Sequence, residues 1–166
     1  MAQISLKIDR LSNSIVNRIS GDNFETVVIE FQKSELKLLK KGWKFKWNKE
    51  FNTSTVYKLV IKHSPEVIQG LVSLKDEKDH IFMNLVETAP HNFGSGKIYE
   101  GVLGNLVAFA CLLLFEKGFE GYVAFEPKTK LIGHYQRTLK AHLIRIDRMI
   151  IDTAAANILI DKYYNK

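Results

Sequence analysis

A glycine-bearing segment between a predicted strand and a predicted helix contains the residues best suited to binding a phosphate. The segment covers residues 87–106 and includes four glycines, among them Gly101 and Gly104. Glycines allow backbone N–H groups to approach an anion closely, and a helix N-terminus adds about half a positive charge. The pattern fits a phosphate cradle, and it fits equally a long loop whose glycines only form turns before a helix. It contains neither a Walker motif nor a dinucleotide-binding fingerprint.

The other reactive residue types form no recognisable site in the sequence. Cys111 is the one cysteine and lies in an apolar helical run, which predicts a core residue rather than a nucleophile. The five histidines share no metal-ligand spacing, so no metal site is predicted. The net charge of +6 suits a phosphate-bearing ligand such as a nucleotide, RNA or coenzyme A, and it suits equally a solvated lysine-rich surface.

Length and composition predict a single domain over residues 1–166. The chain is 46% apolar, which is enough for one core, and no linker or low-complexity tract divides it. The N-terminus carries charges where a signal peptide needs an apolar stretch. The longest apolar run, residues 106–115, is half of the roughly 20 residues that span a bilayer. We therefore expect a cytoplasmic protein without a membrane anchor.

The first half of the chain is predicted to be rich in strands. Strands are expected at residues 4–8, 14–19, 25–31, 56–62, 67–74 and 80–88, with one short helix at 35–41 capped by Ser34. The last three strands are joined by short polar turns, which predicts an antiparallel meander. Between the helix and the meander, residues 42–47 alternate large apolar with basic side chains. They are expected to cover a sheet edge or a substrate cleft, or to pack in the core.

The second half is predicted to alternate strands with helices. Helices are expected at residues 105–117, from Pro127 onward, and at 154–164, with strands at 121–125 and 143–151. This alternation favours parallel pairing in that half. The whole pattern predicts an α/β (α+β) fold in which helices flank a mixed, largely antiparallel central sheet.

This order of elements, together with three motifs, resembles the GNAT superfamily of acetyl-coenzyme A (acetyl-CoA)-dependent N-acetyltransferases. Residues 86–90 match a Val-x-Pro-like segment, residues 101–106 stand where the family has Gln/Arg-x-x-Gly-x-Gly/Ala, and residues 134–141 match a tyrosine-bearing helix. The resemblance covers roughly residues 55–151. It departs at Ile98, where Gln or Arg is usual, at Leu103 or Val102, where a glycine is usual, and at Lys140, where a turn has glycine.

One further segment resembles a subgroup of small bacterial GNAT-like proteins. It is the Trp-x-Phe-x-Trp sequence at Trp43, Phe45 and Trp47, ahead of the meander. The resemblance thus divides the domain into an acceptor-side region at residues 1–54, a sheet and acetyl-CoA-binding core at 55–151, and a C-terminal helix at 152–166.

The resemblance also implies cofactor contacts. Backbone amides would bind the coenzyme A pyrophosphate at Gly101, Val102, Leu103, Gly104, Asn105 and Leu106. The pantetheine arm would pair with Leu85, Val86 and Thr88. A glutamate at position 104 is then expected to weaken coenzyme binding while leaving the fold largely intact.

Two catalytic roles follow from the same resemblance. Tyr135 would protonate the departing thiolate, since a phenol with a pKa of about 10 stays protonated at neutral pH. The alternative is a core tyrosine on an apolar helix stripe. Glu87 would deprotonate the amine if an apolar rim raises its pKa. The alternative is a solvent-facing glutamate at the end of a strand.

The function implied is direct transfer of an acetyl group from acetyl-CoA to an unidentified amine in a ternary complex, without a metal. Two other functions stay open. One is an acyl-CoA-binding protein without catalysis, which the irregular glycine segment favours. The other is a basic RNA-associated module, which only the net charge supports.

Overall fold

A seven-stranded mixed sheet forms the centre of the computed structural model, which describes residues 15–118 and 121–164. Its strands are β3 (Thr26–Glu30), β4 (Thr55–Ile61), β5 (Ser64–Asp76), β6 (Ile81–Thr88), β8 (Val123–Phe125), β9 (His142–Arg145) and β10 (Arg148–Ile151). A second, three-stranded sheet contains β1 (Ile15–Asn17), β2 (Asn23–Phe24) and β7 (Tyr99–Glu100). The strand predicted at residues 4–8 lies outside the described residues.

The order of the large sheet is β3-β4-β5-β6-β8-β10-β9. Among these seven described strands, β6 and β8 pair in parallel and all the other neighbours are antiparallel. The predicted mixed, largely antiparallel sheet is therefore confirmed. Parallel pairing throughout the second half is not, because the strand expected at 143–151 is the β9–β10 hairpin. Its turn is closed by Arg145, whose Nε donates to Asp147 Oδ1 at 2.7 Å.

Three α-helices accompany the sheet in the described ranges: α1 (Val102–Glu116), α2 (Ile132–Leu139) and α3 (Thr153–Tyr164). Short 3-10 helices occupy Lys33–Leu38, Trp47–Asn52, Pro90–Asn92 and Thr129–Leu131. The helix expected at 35–41 is thus a 3-10 turn that Gln32, rather than Ser34, precedes as the cap. Pro127 likewise stands before a 3-10 turn and not at the start of α2.

Helix α1 is apolar on all sides because it lies between the sheet and α3. Its residues Leu106, Phe109 and Leu114 are fully buried in the larger of two core clusters. Cys111 is buried there too, and burial raises the pKa of its thiol to about 12, as expected of an inert core residue. The contact of α1 with α3 is close, since a Cβ atom at Gly104 would collide with the hydroxyl of Tyr163.

The opposite face of the sheet is covered by the region that contains the first two 3-10 helices. Phe31, Trp47, Val56 and Leu71 form a second buried cluster, and Trp43 packs against it. The sheet therefore has apolar cover on both faces. None of the described helices is long and apolar enough to cross a membrane.

The contact between Gly104 and Tyr163 can be tested by a double-mutant cycle. Gly104→Ala should lower the free energy of unfolding by about 1–3 kcal/mol through overpacking. Glycine-to-alanine changes in helices otherwise stabilise by up to about 1 kcal/mol. In a Tyr163→Ala background the same change should cost less or become favourable, because the obstructing ring is gone. Urea denaturation measures all four variants.

Gly96→Ala is the matched control, since nothing lies within 4 Å of a Cβ atom built there. It should leave the unfolding midpoint nearly unchanged. Equal costs of Gly104→Ala in both backgrounds would show that Tyr163 is not the obstructing group.

Candidate active site

Strands β6 and β8 run together and then separate. Their pairing covers Ile81–Met83 on β6 and ends at Phe125, the last residue of β8. Strand β6 continues to Thr88, paired with β5 on its other side. Over residues 84–88, the β8-facing edge of β6 therefore has no strand partner among the residues that the structure describes. Such an edge presents backbone N–H and C=O groups to an extended, amide-bearing ligand.

The separation begins at a β-bulge. Ser73 of β5 pairs with Leu85, whereas its neighbour Leu74 pairs with Met83, so Asn84 is the extra residue on β6. A bulge bends its strand and increases the local twist, which turns the remainder of β6 away from β8. The sequence contains no signal for this bulge.

A buried carboxylate supports the bulge from the opposite face. Glu50, in the second 3-10 helix, is 8% exposed. Its Oε1 atom accepts hydrogen bonds from Asn84 Nδ2 at 2.6 Å and from Ser73 Oγ at 2.7 Å. Ser73 and Asn84, at the bulge, are therefore both hydrogen-bonded to the Glu50 side chain. The sequence did not predict this role for Glu50.

The N-terminus of α1 lies against the end of β6 because Gly70 lacks a side chain. A Cβ atom at Gly70 would lie 2.8 Å from Val102 Cγ1 and 2.9 Å from Leu106 Cδ1. Gly70 pairs with Thr88, the last residue of β6. The β8-facing edge of β6 over residues 84–88 is called the free edge below. The first turn of α1 is thus packed directly onto the sheet where this free edge ends.

The start of α1 is suited to an anion, although it differs from the predicted loop. Gly101 is the N-cap in a left-handed conformation (φ 92°), and the helix begins at Val102 rather than Asn105. The Asn105 N–H donates to the Gly101 carbonyl at 2.9 Å. The amides of Val102, Leu103 and Gly104 precede this first helical bond and have no acceptor within the helix. Within residues 101–106, where pyrophosphate contacts were predicted, the helix thus leaves the amides of Val102, Leu103 and Gly104 available to an anion.

Glu87 connects β6 to the segment that follows the first 3-10 helix. It is 9% exposed, so the solvent-facing alternative is wrong. Its carboxylate accepts hydrogen bonds from the backbone N–H groups of Lys44 at 2.6 Å and Phe45 at 3.3 Å, and from Trp47 Nε1 at 2.8 Å. Three of its roughly four acceptor positions are therefore occupied by donors of the protein, which makes an anchoring role better supported than its predicted role as a base.

The same segment reaches across the gap between β6 and β8. Lys44 Nζ lies 3.5 Å from the ring centroid of Phe93, in the chain after β6. Lys128 Nζ, after β8, lies 5.9 Å from the ring centroid of Phe45. Cation–π attraction at these distances contributes up to about 1 kcal/mol at exposed sites. Of the roles considered for this segment, core packing is confirmed for Trp47 and Trp43. Lys44 and Phe45 lie near residues that follow β6 and β8, so a cleft-covering role stays a prediction for them.

Tyr135 lies beside the point where the strands separate. Its ring meets that of Phe125 edge to face at a centroid distance of 5.3 Å. Partial burial raises the pKa of the phenol above its ordinary value, so it carries its proton at neutral pH. Its neighbour His134 is exposed. Tyr135 therefore packs against the core and is also close to the gap, a position compatible with both of the roles considered for it.

The anchoring role of Glu87 predicts a stability loss for Glu87→Gln. The amide NH₂ would face N–H donors and leave buried groups unsatisfied, at a cost of about 1–3 kcal/mol. Both tryptophans, Trp43 and Trp47, lie in the tethered segment, so their fluorescence should shift to the red and the urea midpoint should fall. Glu66→Gln, at an exposed carboxylate, is the matched control. Equal midpoints for the two variants would contradict the anchoring role.

Solved structures share this architecture at low sequence identity. A chain of the AtaTR complex bound with AcCoA aligns with a TM-score of 0.60 and 10% identity, over 81% of this chain and 98% of that one. A spermidine N-acetyltransferase SpeG chimera from Vibrio cholerae and hSSAT gives 0.54 and 14%, over 80% and 98%. A chain of the KacTA–DNA complex gives 0.57 and 9%, over 82% and 99%.

Neither a family model nor a curated protein sequence matches the chain. The TM-scores of 0.54–0.60 establish the fold, and the identities of 9–14% leave the acceptor open. AtaT and SpeG are GNAT acetyltransferases, and the strand order, the bulged β6 and the helix at its end occur here in one arrangement. The chain therefore has the GNAT fold.

Proposed function

We propose that the protein transfers an acetyl group from acetyl-CoA to a primary amine by direct attack in a ternary complex. The observation that carries this proposal is the free edge of β6 lying next to the N-terminus of α1. The first offers backbone hydrogen bonds to an extended chain, and the second offers amides and a positive dipole to an anion. Coenzyme A carries a matching group for each of them, an extended amide-bearing pantetheine arm and a diphosphate.

The residues present fit such a ligand. Leu85, Val86 and Thr88 lie on the free edge, where their backbone groups would pair with the amides of the pantetheine arm. The amides of the first turn of α1 would bind the diphosphate. Acetyl-CoA itself would supply the activated acyl group as a thioester. Structures of AtaT contain AcCoA or acetyl-CoA, and SpeG is a spermidine N-acetyltransferase, which supports this assignment.

The chain's own groups would supply the remaining chemistry. A backbone N–H group at the end of β6 would stabilise the negative charge that develops on the thioester oxygen. Tyr135 would donate its proton to the departing thiolate, which its raised pKa permits because the phenol stays protonated until that step. Glu87 would hold residues 44–47 across the gap.

A second function, acyl-CoA binding without catalysis, is favoured by two observations. Ile98 replaces the usual Gln or Arg, and the glycine at position 104 is explained by its contact with Tyr163. The same contact bears on the prediction that Gly104→Glu would leave the fold largely intact, because Tyr163 would have to move to make room for the new side chain. Binding and turnover must therefore be tested by other means.

Acetyl-CoA should raise the melting temperature of the protein. A ligand that binds only the native state stabilises it by about 2.7 kcal/mol at a hundredfold excess over its dissociation constant. Differential scanning fluorimetry with acetyl-CoA, pantetheine and adenosine 3′,5′-bisphosphate should give the largest shift for the intact coenzyme. No shift at millimolar acetyl-CoA would refute both functions.

Tyr135→Phe should lower kcat by about 10²–10⁴-fold with little change in acetyl-CoA affinity, because only the transferable proton is removed. Thiol release from acetyl-CoA in the presence of an amine panel measures the rate. Tyr122→Phe is the matched control, since Tyr122 stacks on His80 at 4.6 Å, beside the opposite end of β8. A wild-type rate in Tyr135→Phe would assign that residue to packing, and coenzyme binding without any thiol release would favour the non-catalytic function.

A further inference from the structure

A groove outside the expected coenzyme site lies beside the end of β6. Its cavity volume is about 270 Å³, close to the lower end of the range for small-molecule pockets, about 300–1,000 Å³. Its apolar walls come from Leu38, Leu39, Trp43, Val67, Ile68 and Pro90. Leu38 is 58% exposed and Val67 40% exposed. Large apolar side chains gathered at a concave surface indicate a binding site for an apolar group.

The charged groups at the rim of the groove are mainly basic. Lys40 and Lys41 lie on one wall, and Glu66 lies on the opposite wall at the start of β5. Two cations against one anion disfavour a polycationic ligand. A ligand with one ammonium group on an apolar body meets less repulsion at this rim than a polycation does, and Glu66 is the one acidic side chain among the lining residues that could pair with it.

His91 also lines the groove, and a chain of hydrogen bonds fixes its tautomer. The Tyr99 N–H donates to Asn92 Oδ1 at 3.0 Å, which identifies the other amide atom as the donor Nδ2. Asn92 Nδ2 donates to the Gln69 carbonyl at 3.1 Å and to Gln69 Oε1 at 2.9 Å, so this side-chain atom is the amide oxygen. His91 Nε2 lies 2.8 Å from the same oxygen and must carry a hydrogen. The lone pair of the neutral ring is therefore on Nδ1.

The surroundings of His91 keep the ring neutral. Partial burial, and in second place the charge of Lys40, lower the pKa of His91 below its ordinary value. Lys41 and Glu66 are the other charged side chains that line the groove. At physiological pH the ring is thus an acceptor with its free nitrogen unprotonated, as a general base requires.

We infer that the groove holds the apolar body of the acceptor amine and that Nδ1 of His91 removes the proton from its ammonium group. Gln69 and Asn92 are positioning residues, because they act through the tautomer of His91. This inference rests on the proposed acetyl transfer. It names a base other than Glu87, whose carboxylate is engaged by three donors.

The reaction then balances as follows. The ammonium group gives one proton to His91 Nδ1, and the free amine nitrogen forms a bond to the acetyl carbon. The carbon–sulfur bond breaks, its electron pair stays on sulfur, and the thiolate takes the proton of Tyr135. The new amide nitrogen loses its second proton, which restores the Tyr135 hydroxyl, and the His91 imidazolium returns its proton to water.

The tautomer can be measured without any substrate. In the wild-type protein labelled with ¹⁵N-histidine, the His91 ring should show a protonated Nε2 and an unprotonated Nδ1 at pH 7.5. His91→Gln identifies its signals by their loss. A hydrogen on Nδ1 would overturn the inference.

Activity tests use phenethylamine, a primary amine on an apolar body, and spermidine, a polycation. Acetyl-CoA-dependent thiol release should be faster with phenethylamine. The rate should fall as the pH falls through the pKa of His91, because protonation removes the base. His91→Gln should lower the rate of thiol release by about 10²–10⁴-fold and abolish this acidic limb of the pH profile. His63→Gln, at an exposed turn histidine, should keep the wild-type rate and the acidic limb.

Gln69→Glu gives a signature that a purely structural role would not produce. A carboxylate beside Nε2–H stabilises the imidazolium and raises its pKa, so the acidic limb should move to higher pH. An unmoved limb in this variant, or an unchanged profile in His91→Gln, overturns the role of His91. If either variant fails to fold, the wild-type tautomer and the wild-type amine preference still decide the inference.

Failure of this inference is distinguishable from failure of the proposed function. Absence of acetyl-CoA binding refutes the proposed function. Acetyl-CoA binding with turnover of spermidine but not phenethylamine refutes the groove and leaves the function standing. If acetyl-CoA binds but neither amine causes thiol release, the groove inference is also overturned. Thiol release with the wider amine panel then decides the proposed function.

Discussion

The geometry of the candidate site depends on the bulge at Asn84. Before it, β6 is held on both sides, by β5 and by β8; after it, β5 is its only strand partner among the residues 15–118 and 121–164. A regular β6 would continue beside β8 or its extension, and the free edge would be lost. The bulge is stabilised by hydrogen bonds to a carboxylate, which contribute about 1.5–3 kcal/mol each when charge-assisted. Glu50 is the residue that supplies them.

Two carboxylates attach residues 44–52, the covering region, to the sheet, and each of the two parts supplies one of them. Glu50 belongs to the covering region and accepts hydrogen bonds from the sheet. Glu87 belongs to the sheet and accepts hydrogen bonds from the covering region. Together with the buried Trp47 they fix a stretch that has little regular secondary structure of its own. Residues 44–47 are therefore held across the gap by side-chain contacts, with no α-helix in this stretch to place them.

The sequence predicted the parts of the fold that depend on local patterns. The meander β4–β5–β6, the helix α1 and the final helix were confirmed because the apolar runs and the turn residues that mark them lie within a few positions of each other. The features that were missed depend on distant partners. Glu87 binds residues 40–43 positions away, and Tyr163 explains Gly104 from the far end of the domain. The bulge gave no clear signal, because one polar residue, Asn84, within an apolar run is compatible with a regular strand. The β9–β10 turn contains neither glycine nor proline, so the charged residues Arg145, Asp147 and Arg148 were not interpreted as a turn.

The position of the candidate phosphate site depends on how α1 packs against its neighbours. Gly70 allows its first turn to touch the sheet, and Gly104 allows Tyr163 of α3 to press against its other side. The helix N-terminus is thereby fixed relative to the end of β6 by two close contacts, neither of which involves a ligand-binding side chain. Backbone amides supply the anion contacts in such a site. The replacement of Gln or Arg by Ile98 removes a side chain from the family pattern, whereas the first-turn amides keep their place next to the free edge. On this argument, a chain with a weak glycine motif can retain the coenzyme site, because packing rather than the motif positions the groups that would bind.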